Sequence, residues 1–183
     1  YLEDLKLQEK LRHRRQERKF LRSVDYCIYN SDDTRLRVAE LIGSSPAGII
    51  AKPGREDRPC SRGVLVVKKD PVLLSVGNVI PRKGFHTVID AVSRLSCRGV
   101  LPRGFVYRIA GSTEADPVYA GRLEKLVRRK NLAGRVVFTG RVTDRELEKE
   151  YEQAQLFCLP SLYEGFGIVY LEAWAYGRPV IGA

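Results

Sequence analysis

Two glutamates eight positions apart, Glu164 and Glu172, flank the turn Gly165-Phe166-Gly167. Paired carboxylates at that spacing are commonplace; what surrounds them is not. The apolar run Ala154–Leu159 reads as a buried strand, and Ile168–Tyr176 carries apolar residues at helical spacing. The glycines therefore stand where a strand becomes a helix. There they let the backbone approach a ligand closely, and the free N–H groups of the helix start attract an anion. Glu164 enters at the mouth of the turn. Glu172 is about five residues into the helix, roughly 7–8 Å along its axis, and its side chain leans back toward the turn.

A second constellation is Pro81-Arg82-Lys83-Gly84. A guanidinium fork and an ammonium at a helix start suit a diphosphate, through charge-assisted bonds of about 1.5–3 kcal/mol each. A solvated basic loop is the plainer alternative. A shared edge with the Gly-Phe-Gly turn favours phosphate. His86 follows on the first turn of the same helix and could touch phosphate, although a partly exposed spacer is the simpler role. These loops hold no Asp-x-Asp pair, so the two cations stand where a divalent metal otherwise would. Trp174 and Tyr170 read as core rather than as stacking platforms.

These residues need elements to position them. Strands are expected at Val72–Val76, Phe105–Ala110, Arg135–Thr139, Ala154–Leu159 and Pro179–Gly182. Helices are expected over Gly84–Leu95, Val118–Arg129, Asp144–Gln153 and Ile168–Tyr176. This alternation predicts an α/β fold, a doubly wound parallel sheet with right-handed crossovers. All strand-to-helix loops of such a sheet share one edge, and ligands bind there. The loops are Gly77–Lys83, Gly111–Pro117, Gly140–Thr143 and Pro160–Gly167, and three of them begin with glycine.

Ahead of the sheet, Leu2–Arg22 suits a helix, Val24–Asn30 and Ala47–Ala51 read as strands, and Ser31-Asp32-Asp33 caps a helix over Thr34–Ile42 that Gly43 ends. Lys52–Cys60, with two prolines and a glycine, reads as a linker. Two domains are expected, residues 1–60 and 61–183.

The phrases "PSLYEGFGIVYLEAWAYGRPVI" and "SVGNVIPRKG" resemble the Glu-(seven residues)-Glu glycosyltransferases of the group 1, or family 4, retaining type. The likeness is good over Val72–Ala183 and weaker over Val24–Gly54. It implies the Rossmann-like C-terminal half of the GT-B fold, preceded by a remnant of the acceptor-side domain. It also implies a nucleotide-diphosphate sugar donor, such as a UDP-, GDP- or ADP-sugar, transfer with retention, and neither cofactor nor metal. Arg82 and Lys83 would hold the diphosphate beside Gly77 and Asn78, and Glu172 the ribose hydroxyls. Gly165, Phe166 and Gly167 would present backbone donors, and Arg141–Thr143, with Val142 at its centre, would touch the nucleobase. Asn78 stands where many members carry Arg, which removes one cation from the clamp. Glu164 is the catalytic candidate: it could orient donor-sugar hydroxyls or stabilise an oxocarbenium-like transition state. A helix-start carboxylate favoured by the macrodipole is the plain alternative.

With 183 residues, 44% hydrophobic and 30% charged, the chain has the composition of a globular protein rather than a disordered one. It lacks methionine and opens on Tyr1, which suggests a piece of a longer protein. The acceptor side would then be largely absent, and the chain alone would transfer no sugar. The acceptor itself, whether saccharide, lipid or small molecule, is left open. Cys27, Cys60, Cys97 and Cys158 show no CxxC spacing, so neither a zinc site nor a disulfide framework is expected, and a reducing cytoplasm is the default. The net charge is +10, and residues 1–22 carry eight basic against four acidic side chains. The run Arg12-His13-Arg14-Arg15 with Arg18-Lys19 is compatible with peripheral contact at an anionic membrane face; a solvated helix face outweighs it. Nucleic acid is disfavoured, because aromatic residues are missing from that basic run. The other rivals are a non-catalytic nucleotide-binding module and a phosphorylase or epimerase on the same fold. A phosphorylase would need a lysine placed for pyridoxal phosphate, and no motif for one is present.

Overall fold

A computed structural model describes residues 2–54 and 69–183 of the chain, which divides into two compact units at Gly54/Arg55. The expected boundary at residues 60/61 lies outside the described residues.

The first unit contains α1 (Leu2–Arg22), β1 (Cys27–Tyr29), α2 (Asp32–Ile42) and β2 (Gly48–Ile50). The two strands pair in parallel and are shorter than the sequence suggests. The α2 helix starts where Ser31 accepts from the Thr34 N–H and ends at the left-handed Gly43. The Arg22 side chain donates to the Ile42 carbonyl at 2.8 Å, so the end of α1 satisfies an orphan acceptor of α2. The basic residues of α1 from Arg12 to Lys19 are exposed. No helix among the described residues is long and apolar enough to cross a membrane.

The second unit holds β3 (Val72–Val76), α3 (Phe85–Cys97), β4 (Val106–Ala110), α4 (Pro117–Arg129), β5 (Val136–Gly140), α5 (Asp144–Gln153), β6 (Leu156–Leu159), α6 (Ile168–Ala175) and β7 (Val180–Gly182). The five strands form one parallel sheet in the order β5-β4-β3-β6-β7. The expected α/β, doubly wound architecture is therefore present. The chain runs outward from β3 to β5, then crosses back to place β6 on the other side of β3. With right-handed crossovers, α3 and α4 cover one face and α5 and α6 the other. Cross-helix contacts agree: Lys130 of α4 meets Asp90 of α3 at 3.2 Å, and Tyr151 of α5 stacks on Tyr176, just past α6, at 5.3 Å.

The central strand β3 is buried on both faces, as a covered parallel sheet requires, whereas the edge strand β7 is largely exposed. Leu74, Tyr107, Ile109, Phe157 and Leu159 are fully enclosed, with Phe85, Ile89 and Leu123 closing over them. Each such side chain contributes about 1.5–3 kcal/mol of transfer free energy. Several polar groups inside this core are paired, whereas the Nε of buried Arg178 has no hydrogen-bond partner among the described residues. Ser75 bonds the Tyr107 hydroxyl at 2.9 Å and the Cys158 carbonyl. Arg108 on β4 grips Glu150 of α5 through two bonds, Nε to Oε2 at 2.6 Å. The α5 helix starts with a full capping box between Thr143 and Glu146, and Asp116 caps α4 just before Pro117.

Two expectations need correction. Arg82 and Lys83 do not sit at the free start of a long helix: they form a single 3-10 turn, Pro81–Lys83, and Gly84 separates it from α3. Trp174 is not core: 59% of its surface is exposed, while its neighbour Ala173 on α6 is buried. Tyr170 does pack inward, edge-on to Phe157.

Gly84 has φ 71° and its missing Cβ would lie 2.3 Å from the Pro160 carbonyl oxygen. Gly99, at φ 68°, faces open space. Gly99→Ala therefore reports backbone strain alone, about 1–2 kcal/mol, whereas Gly84→Ala adds a clash with backbone worth about 1–3 kcal/mol more. Urea unfolding of the two variants should show a clearly lower midpoint for Gly84→Ala; equal midpoints would mean that the 84/160 contact yields freely.

Candidate functional site

The switch in strand order falls between β3 and β6, so the loops leaving these two strands face each other across the edge of the sheet. They are locked together. The Leu162 N–H donates to the Arg82 carbonyl at 2.8 Å. The Arg82 guanidinium donates to the Tyr163 carbonyl and lies 6.0 Å from the centre of the Tyr163 ring. Gly84 packs directly on Pro160.

At the centre is one carboxylate oxygen. Glu164 Oε1 accepts from Lys83 Nζ at 2.5 Å and from Ser161 Oγ at 2.6 Å, and Arg82 Nη1 stands 3.6 Å away. Lys83 is buried, and its aliphatic stem lies against Gly77, whose missing Cβ would be 3.2 Å from Lys83 Cε. Burial pushes the Glu164 carboxyl up, but the hydrogen bonds from Lys83 and Ser161 and the charges of Lys83 and Arg82 outweigh it and hold it below its usual range.

The loops after β3, β4 and β5 are joined by backbone bonds, Gly77 N–H to Ala110 O, Val79 N–H to Ser112 O and Gly111 N–H to Gly140 O, each 2.9 Å. They enclose an open cavity of about 580 Å³. Gly77, Asn78, Arg141 and Val142, all expected at the site, line it. Ser112, Glu114, Ala115 and Leu147 line it as well. The Gly111–Pro117 loop was expected at this edge, but its individual side chains carried no local signal.

Glu172 has a partner that the sequence did not indicate. The Tyr151 hydroxyl donates to its Oε2 at 2.7 Å. Burial, then the nearby Glu172 charge, push the Tyr151 phenol far above its ordinary value, so it stays a donor. Gly167 caps α6 at φ 81°, where a Cβ would meet the Tyr170 ring at 2.6 Å. Gly165 and Phe166 are half-buried in the loop before it. The expected residues thus fall into three neighbouring groups along one edge: the Glu164 ion cluster, the cavity beside Gly77, and the start of α6. His86 is exposed and its Nδ1 lies 2.9 Å from the Tyr119 hydroxyl, so it bridges α3 and α4. Ser161, missed in the sequence, stands three residues before Glu164, a spacing at which a turn brings side chains together.

Known proteins resemble this chain in sequence and in fold. The chain is 30% identical over 165 residues to the lipopolysaccharide core biosynthesis glycosyltransferase LpsE of Rhizobium meliloti, covering 88% of this chain and 45% of that protein. It is 30% identical over 179 residues to the D-inositol 3-phosphate glycosyltransferase of Kineococcus radiotolerans, covering 91% of this chain and 41% of that one. It therefore spans less than half the length of these curated relatives. The crystal structure of Anabaena HepE in complex with UDP-glucose superposes with a TM-score of 0.72 at 21% identity, over 90% of this chain and 48% of that one. Its fold is that of the GT-B glycosyltransferases. The model of the family "Glycosyl transferases group 1" matches residues 58–183, and the chain belongs to that family.

Proposed function

We propose that this chain carries the donor site of a glycosyltransferase that moves a sugar from a nucleotide-diphosphate sugar to an acceptor, with retention of configuration and without a metal at the diphosphate. The observation that carries this reading is the placement of Lys83 and Arg82 at the strand-order switch, beside Gly77 and the cavity it lines. Two cations held in place by a neighbouring loop cost little reorganisation when a diphosphate enters, and they can neutralise the charge that develops on it as the leaving group. Anabaena HepE, which shares the fold, was crystallised with UDP-glucose.

In this reading Gly77 lets the phosphates come close to the backbone, and the Arg141–Val142 loop meets the base. Glu172, oriented by Tyr151 through Oε2, offers its other oxygen to the ribose. Glu164 spends Oε1 on Lys83 and Ser161, which leaves Oε2 for a sugar hydroxyl or for positive charge at the anomeric carbon. It is at once the counter-ion of the phosphate clamp and the catalytic candidate. The exposed basic face of α1 offers peripheral contact with anionic lipid.

Calorimetric titration with nucleoside diphosphates tests the clamp. Arg82→Ala and Lys83→Ala should each weaken binding while the thermal transition remains cooperative, by about 1.5–3 kcal/mol per lost charged hydrogen bond. Unchanged affinity in both variants would refute it.

The two glutamates should separate. Glu172→Gln keeps the shape and loses the charged acceptor, lowering nucleoside diphosphate affinity by about 1–3 kcal/mol. Glu164→Gln removes an anion that competes with phosphate for Lys83, so the nucleotide should bind no more weakly than to the parent chain. A loss confined to Glu164→Gln would reverse these assignments.

Acid unfolding provides a further check. A carboxyl lowered on folding adds stability that is present above its unfolded value and is lost as pH falls through the folded one. Urea midpoints of the parent chain should therefore drop on acidification through and below the ordinary glutamate range, and Glu164→Gln should flatten part of that drop. Parallel pH profiles for the two chains would show that the ion cluster contributes no such linkage.

A further inference from the structure

The cavity after β3, β4 and β5 contains two charged side chains, Glu114 and Arg141. Neither forms a hydrogen bond or ion pair among the described residues, although both line the same space of about 580 Å³. Both are exposed at the mouth of the cavity, where an acid and a base without protein partners can each meet a ligand that enters it. Such a ligand must offer donors to the carboxylate and acceptors to the guanidinium. The remaining walls suit a flat ring, because Ala115, Val142 and Leu147 supply apolar surface. The turn carrying Glu114 is braced by a bond from its backbone N–H to Ser112 Oγ at 3.2 Å.

We infer that the donor nucleotide carries guanine, read by Glu114 on its N1–H and N2–H2 edge and by Arg141 on O6 and N7. The inference rests on the donor-site reading above and deepens it. Among the common bases guanine alone presents two adjacent donors, which match the two oxygens of one carboxylate. Arginine is the side chain that pairs in two-pronged fashion with guanine O6 and N7. Uracil is the wrong partner: its single N3–H lies between two carbonyl oxygens, which a carboxylate repels. Adenine and cytosine offer one amino group each, beside a ring acceptor. A favourable contact exchanged for a repulsive one is how a site discriminates against the wrong ligand.

The test is calorimetry of the 183-residue chain with GDP, UDP and ADP, repeated on Glu114→Gln. The parent chain should bind GDP at least tenfold more tightly than UDP or ADP. In Glu114→Gln, GDP should weaken at least tenfold and UDP should hold or gain, collapsing the preference toward unity. The parent chain's own ranking is a measurement that does not depend on the variant folding. UDP or ADP binding as tightly as GDP to the parent chain would overturn the inference and leave the donor site intact, and so would a GDP preference that survives Glu114→Gln. Absence of binding by all three nucleotides would overturn both readings.

Discussion

The contact on which the candidate site depends is the 2.5 Å pairing of Lys83 with Glu164. It joins the loop after β3 to the loop after β6, the two segments that diverge where strand order switches. A lysine buried beside Gly77 is tolerable only if its charge is met, and Glu164 meets it. The carboxylate in turn is held by Ser161 and flanked by Arg82. Removing Glu164 would leave the buried Lys83 charge unmet, which costs about 3–5 kcal/mol in a buried pair. The edge is therefore built around an ion pair that also sets the position of two cations.

The rest of the second unit makes that pairing possible. The parallel sheet brings β3 and β6 side by side although Val76, the end of β3, and Leu156, the start of β6, are 80 positions apart. Enclosed Leu74 and Phe157, register partners on the adjoining strands, fix how far each strand extends before its loop begins. On one face Tyr151 stacks on Tyr176 and bonds Glu172, so α5 orients a residue of α6. The Arg108–Glu150 pair ties the same α5 helix to the sheet. Packing far from the edge thus decides where the edge residues point.

Electrostatics and shape divide the edge into distinct parts. The ion cluster presents two cations with one anion already spent between them, which suits a ligand bearing more than one negative charge. The adjacent cavity is walled by apolar side chains with one acid and one base at its margin. A nucleotide has this same division, polyanionic at one end and flat and polar-edged at the other.

Much was readable from residue order alone. Alternation of apolar runs with helical periodicity located all five strands and four helices of the sheet to within a few residues, since local burial patterns and turn chemistry act over short spans. Ser31 and Gly43 mark the ends of α2 through bonds made within three or four residues. Glu164, Glu172, Arg82 and Lys83 were picked out by motif and by their place in or beside the strand-to-helix loops. The pairings were not readable. Nothing local joins Lys83 to Glu164, Tyr151 to Glu172 or Glu114 to the cavity of Arg141, and the exposure of Trp174 depends on how α6 sits against the sheet. Sequence determined the elements and the kinds of chemistry available, because those follow from near neighbours. Only the tertiary structure decided which charge meets which, because contact between residues 81 apart is set by strand order and packing.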